Sequence, residues 1–237
     1  MPYFHPLLKP TLWFIPAFAF LIGLGIWQLE RLQWKEGLIA EMNGHMHAAS
    51  IDADAALKLG DAAQYRRVAL TGTFDNAKEA YAFTTGPDGN PVYHVIAPFR
   101  LSDGRVFLVD RGLIPTGLRD PQTRQAGQHT GTQNLAGIWR TPDAPGLFTP
   151  SPDAAHRVWY ARDVAGIAKA DGVKLAAPVI IEADPTPNPG GWPKGGQTVV
   201  DLPNSHLEYA ITWFGLAAGL LGVFLAFHVS KGRLGWR

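Results

Sequence analysis

TLWFIPAFAFLIGLGIW, residues 11–27, is the stretch that decides the architecture: 17 consecutive residues without a charged side chain. At 1.5 Å per residue a helix of this length covers about 26 Å, the scale of a bilayer's hydrocarbon core. A second such run, YAITWFGLAAGLLGVFLAFHV at 209–229, has Tyr209 and His228 as its only ionisable members. Trp13, Trp27, Tyr209 and Trp213 stand near the ends of these runs, where interfacial aromatics are expected. Gln28, Leu29, Glu30 and Arg31 follow the first run where a signal peptidase would need small residues, so the segment is expected to stay as an anchor.

Two spans put both chain ends on one side of the membrane. Lys9 before the first span, and Lys231, Arg233 and Arg237 after the second, have no acidic residue among them, which assigns that side to the cytoplasm. No Arg-rich, acid-poor transit sequence precedes the first run, which favours a bacterial inner membrane over a mitochondrial one. The expected organisation is therefore a cytoplasmic N-terminus (1–10), a transmembrane helix (11–28), a helical stem (29–48), a periplasmic domain (49–203), a second transmembrane helix with its cap (204–229) and a cytoplasmic C-terminus (230–237). Small residues four apart, Ala19/Gly23, Gly215/Gly219 and Ala218/Gly222, either let the two helices pack closely or are ordinary lipid-facing positions.

Composition agrees with a membrane protein. Charged residues make up 17% of the 237, below the roughly 25% usual in soluble domains. With 21 basic and 20 acidic side chains the net charge is +1, so no cationic field exists to gather nucleic acid. Cysteine is absent, which excludes disulfides, thiolate metal sites and covalent haem attachment while leaving non-covalent cofactors open.

Between the spans the pattern changes. Leu32, Ile39, Met42 and Met46 continue a helical period as the stem. Alternation then predicts short strands at 68–74, 80–84, 92–99, 106–109, 135–139 and 179–182, with turns at Gly86-Pro87-Asp88-Gly89-Asn90-Pro91 and Ser102-Asp103-Gly104. Short helices are expected near 52–59 and 162–170, whereas 117–131 and 184–197 read as irregular. The fold class is thus a membrane protein with two transmembrane helices and an intervening, mainly antiparallel, barrel-like β domain with short helices.

Candidate chemistry gathers at the membrane borders. Pro203-Asn204-Ser205-His206-Leu207-Glu208 precedes the second span, and Ser205 with Glu208 has capping-box spacing that would start the helix at His206. His206, Tyr209, Ala210 and Trp213 then share one helix face. A flat apolar ring could lie there with its iron on the imidazole; the same residues also suit a plain interfacial anchor. At the same depth on the first helix stand Gly25, Trp27, Gln28, Arg31, Trp34 and Lys35. Arg31 and Lys35, one turn apart, could meet haem propionates or lipid phosphates, or simply snorkel. On the stem, Met42, His45 and Met46 share a face that would suit copper(I), with His47 turned away; an amphipathic stem explains them equally. No nucleophile elbow, phosphate loop, HExxH helix or EF-hand occurs, and His94, His129 and His156 define no acid–base pair, so the chain is not expected to be an enzyme.

These segments together resemble the Surfeit locus protein 1 family. The matching residues are Leu24-Gly25-Ile26-Trp27-Gln28 with Arg31, Trp34 and Lys35; Tyr65-Arg66 with Val68, Gly72 and Phe74; Pro98-Phe99, Asp103-Gly104-Arg105 and Val109-Asp110-Arg111-Gly112 with Pro115; and Asn204, His206-Leu207, Tyr209-Ala210 and Trp213-Phe214. Between about 117 and 200 the likeness is weak. The resemblance implies an assembly factor for haem–copper cytochrome c oxidase, in a bacterial inner membrane, that helps place haem a in subunit I and interacts with haem a synthase. It makes His206 the expected haem ligand, with Tyr209 and Trp213 against the ring. Trp27, Arg31 and Lys35 complete the expected site on the other helix. Two rival readings stand beside it: a cofactor-free scaffold for subunit I, and a copper carrier using the stem.

Overall fold

The computed structural model describes residues 2–142, 145–198 and 203–236. In chain order its elements are β1 (Pro2–Phe4), α1 (Leu8–His47), α2 (Ala53–Leu59), β2 (Arg67–Phe74), β3 (Ala80–Thr85), β4 (Pro91–Leu101), β5 (Val106–Pro115), β6 (Gln133–Arg140), β7 (Val158–Trp159), α3 (Val164–Asp171), β8 (Ile180–Ala183), α4 (His206–Ser230) and β9 (Leu234–Trp236). They form two compact units, Met1–Glu41 with Asp201–Arg237, and Met42–Val200.

The first unit is a pair of helices, each long and apolar enough to cross a membrane. One continuous helix, α1, takes in both the first apolar run and the stem. The helices run antiparallel: Phe14 stacks on Phe224 at 4.1 Å between centroids, and Gly25 lies against the Phe214 ring. On α1 the partly or fully buried positions Phe14, Phe18, Leu21, Gly25, Gln28 and Leu32 recur in steps of four and three, the spacing of a left-handed helix pair. Outside the seam, Trp13, Ile15, Phe20, Ile211 and Val223 are exposed, an apolar girdle that lipid would cover.

The small-residue spacings do not form this seam. A Cβ added at Gly23, Gly215, Gly219 or Gly222 would meet nothing within 4 Å, so these glycines face outward. At the far end the two terminal segments, assigned no secondary structure from sequence, are tied together. β1 and β9 pair antiparallel, Tyr3 opposite Gly235. His228, fully buried, accepts a hydrogen bond from the Leu7 amide at Nε2 (3.1 Å) and donates from Nδ1 to the Phe224 carbonyl (2.8 Å).

The second unit is a β domain built on a closed five-stranded barrel, β2-β6-β8-β5-β4, sealed where Gly72–Phe74 of β2 meets Phe99–Leu101 of β4. The first half of β4 instead pairs with β3, which carries β7 at its edge. All six predicted strands are present, with β4, β5 and β6 three to six residues longer than the alternation suggested. The sheet is not purely antiparallel: β8 returns after α3 and enters parallel to β5 and antiparallel to β6. A crossover through a helix is what parallel pairing requires.

Both faces of β5 are covered. Phe107 and Val109 join Val68, Leu70, Phe99, Trp139 and Ile181, together with Ala53 and Ala56 of α2. Leu108 faces the other way, with Ile96, Trp159, Ile180 and the α3 residues Val164 and Ile167. Each Val, Leu, Ile or Phe among them, fully buried, contributes about 1.5–3 kcal/mol relative to exposure. The short helices start where polar caps stand: Asp52 accepts from the Ala55 amide (2.8 Å) and Asp163 from the Gly166 amide (2.9 Å).

Candidate functional site

At one end of the helix pair, α1 turns two residues inward, Gly25 and Gln28. Gly25 makes room for the ring: a Cβ would stand 2.5 Å from Phe214 as it is seated. With the ring seated, Gln28 is only 8% exposed, and its Oε1 lies 2.7 Å from His206 Nδ1. An amide oxygen only accepts, so with Oε1 facing the ring Nδ1 is the donor of this contact. A neutral imidazole then has its lone pair on Nε2, the arrangement usual for a metal-ligating histidine held by its other nitrogen.

His206 is the first residue of α4, as the sequence predicts, but the capping box is not formed. Ser205 sits at φ −93°, ψ 9°, outside the extended region in which an N-cap side chain reaches the N3 amide, and its hydroxyl makes no capping bond. What fixes this end is contact with α1. The Lys35 ammonium donates to the Pro203 carbonyl, one turn before the helix begins.

The remaining expected site residues are distributed around this point. Arg31 lies with its guanidinium 4.0 Å from the Trp34 ring centroid, so its charge rests on an aromatic face next to the Gln28–His206 contact in sequence. Trp27 and Tyr209 are exposed, Trp213 is half-buried, and Ala210 is turned fully into the seam. His206 and Ala210 therefore face α1, whereas Tyr209 points away from it. The Asn204 Oδ1 atom is buried without a hydrogen-bond partner. On the stem, His45 Nδ1 donates to the Gln64 carbonyl (3.1 Å) and His47 Nδ1 to the Asn43 carbonyl (2.8 Å), so both rings have structural partners.

The β domain holds a buried ionic cluster that the sequence reading missed. The Glu79 carboxylate accepts from Arg111 Nη1 (3.1 Å), Arg124 Nη1 (3.0 Å), Gln128 Nε2 (3.1 Å) and the Tyr81 hydroxyl (3.0 Å), and also from Arg124 Nη2. Arg111 also donates to the Gly127 carbonyl and lies over the Phe74 ring. Burial alone would raise the Glu79 carboxyl, but the hydrogen bonds and charge of Arg124, helped by Gln128 and Arg111, hold it below its ordinary value. Burial and the Glu79 charge push the Tyr81 hydroxyl up to about 12. Two guanidiniums thus share one carboxylate. The available signals were Glu79, two residues before Tyr81 at the entry to β3, and Arg111 within Val109-Asp110-Arg111-Gly112; Arg124 comes from the polar stretch 121–127, which has no period to read.

A second buried set surrounds Asp110. Its carboxylate lies 2.8 Å from His94 Nδ1 and 3.5 Å from Arg162, and accepts the Gly112 amide at 3.0 Å. Burial opposes the charge, yet His94, Arg162 and that amide keep the Asp110 carboxyl below its usual range. Arg162 also pairs with Glu182 on β8. Among the described residues no group of three or more His, Asp or Glu side chains could hold a metal ion.

A small barrel that follows one apolar helix and precedes another in the chain, with a histidine where the second helix begins, defines a class of protein with two candidate membrane spans flanking a β domain. Residues 15–218 match the model of the SURF1 family, and the chain belongs to that family. It is 38% identical to Surfeit locus protein 1 of Rattus norvegicus over 220 residues, covering 86% of this chain and 70% of the rat protein. The proteins of the same name from Takifugu rubripes (33% identical, 94% and 98% covered) and Homo sapiens (34%, 89% and 74%) match along nearly the same length.

Proposed function

We propose that this chain is an assembly factor for haem–copper cytochrome c oxidase that receives haem a at the His206 end of its helix pair and presents it for insertion into subunit I. The observation carrying this reading is the Gln28–His206 contact, which engages Nδ1 of the ring at 2.7 Å and not Nε2. The surroundings fit the group. Trp27 and Trp213 would supply apolar faces for a macrocycle and Arg31 a cation suited to propionates, while Tyr209, directed away from α1, would have to turn to join them. Lys35, engaged by a backbone carbonyl, would have to exchange that partner to join it. The bound iron would supply a centre that accepts one imidazole and remains open to transfer.

His206 is half-buried at a helix start rather than enclosed in a pocket, which suits a carrier that must let go. The role is ligand exchange and positioning, without bond-making catalysis. In this reading the helices lie in a bacterial inner membrane with both termini cytoplasmic and the β domain periplasmic, next to subunit I and haem a synthase. The cations Lys9, Lys231 and Arg233, with no acidic neighbour at that end, support the orientation.

The test is haem a content of oxidase purified from cells whose own copy is replaced by His206→Ala. Carrier function predicts subunit I in the membrane at normal amount but depleted of haem a. Full haem a content with His206→Ala would overturn the reading and favour a cofactor-free scaffold.

A further inference from the structure

We infer that Gln28 is a positioning residue that selects the tautomer of His206, so that Nε2 and not Nδ1 is offered to a ligand; its purpose rests on the haem reading above. An imidazole has two nitrogens, and which one keeps the proton is decided by the hydrogen bond made by the other. Here Nδ1 has a partner at 2.7 Å on a residue only 8% exposed. That partner is held in register from both sides. Gly25 admits the Phe214 ring one turn earlier on α1, and Lys35 holds the Pro203 carbonyl two turns later.

Gln28 Oε1 accepts at Nδ1, so the ring's remaining nitrogen, Nε2, is the one offered to a ligand. A buried amide in an otherwise apolar seam is costly unless bonded, which ties its presence to the histidine.

The experiment uses the full chain in detergent micelles with ¹⁵N-labelled histidine, His206 being assigned by difference from His206→Gln. The expected spectrum has a protonated Nδ1 and an unprotonated Nε2. Gln28→Leu should shift the tautomer balance, and Gln28→Glu, which keeps an acceptor, should restore Nδ1–H. Gln28→Asn, one methylene shorter, serves as a second disrupting variant if the leucine form does not fold. Added iron protoporphyrin IX should bind Gln28→Leu about 10–100-fold more weakly than the native chain, with Gln28→Glu closer to native. A native His206 protonated at Nε2, or a Gln28→Leu spectrum and haem affinity equal to native, overturns the inference. Native Nδ1–H with no haem binding upholds the role of Gln28 and overturns the haem reading alone.

Discussion

Replacing Glu79 with glutamine tests the buried ionic cluster of the β domain. The carboxylate is 2% exposed and is approached by Arg111, Arg124, Gln128 and Tyr81, every one of them presenting a hydrogen. The amide that replaces it keeps one acceptor but turns an NH2 group toward donors. It also leaves two buried guanidiniums without a counter-charge. Breaking a buried pair in this way costs about 3–5 kcal/mol. For a domain of this size 1 kcal/mol moves the melting temperature by about 2–4 °C, so a fall of about 6–20 °C is expected. Near-UV circular dichroism melts of the full chain in detergent would measure it. Arg124→Met should destabilise less, because Glu79 and Arg111 remain as a neutral pair. A Glu79→Gln melting temperature within about 2 °C of native, or a larger fall for Arg124→Met, would refute the reasoning.

The other expectations follow from the same geometry. The Glu79 and Asp110 carboxyls are held below their ordinary values, so each contributes stability that is complete above about pH 4.5 and is lost as pH falls toward the folded-state value. Acid titration of the β-domain melt should therefore show a steeper loss in the native chain than in Glu79→Gln. Gly25→Val would place a methyne carbon against the Phe214 ring and push α4 off α1; a cysteine crosslink between positions 28 and 206 should form slowly in that variant and recover with Phe214→Ala. Gly112 has φ +111°, and a Cβ there would lie 1.9 Å from the Lys194 carbonyl oxygen, so Gly112→Ala should cost about 1–3 kcal/mol, read as a lower melting temperature.

Much of this architecture was legible in the residues. The two spans stood out because uncharged runs of that length have few other uses, and the six strands because Val68, Leu70 and their counterparts alternate with polar neighbours. What escaped was decided by distant partners. Val158–Trp159 is a two-residue strand, too short for any period, and β8 takes its direction from the α3 crossover rather than from its own residues. Outward and inward glycines look alike in sequence: Gly215 and Gly219 face open space, while Gly25 receives a ring. Ser205 and Glu208 had the spacing of a capping box, but the backbone angle at Ser205 does not permit it. The place of His206 at the start of the second long helix was readable from the residues before the span, and Gln28 could be noticed only as a neighbour of Trp27. Their hydrogen bond required the packed helix pair.

That His206 is the axial ligand is tested most directly by the visible spectrum of the full chain, purified from cells that also make haem a, beside that of His206→Ala. A haem a spectrum in the native protein that is lost or altered in the variant is the predicted result. A native protein without haem, or a variant spectrum identical to native, would contradict it.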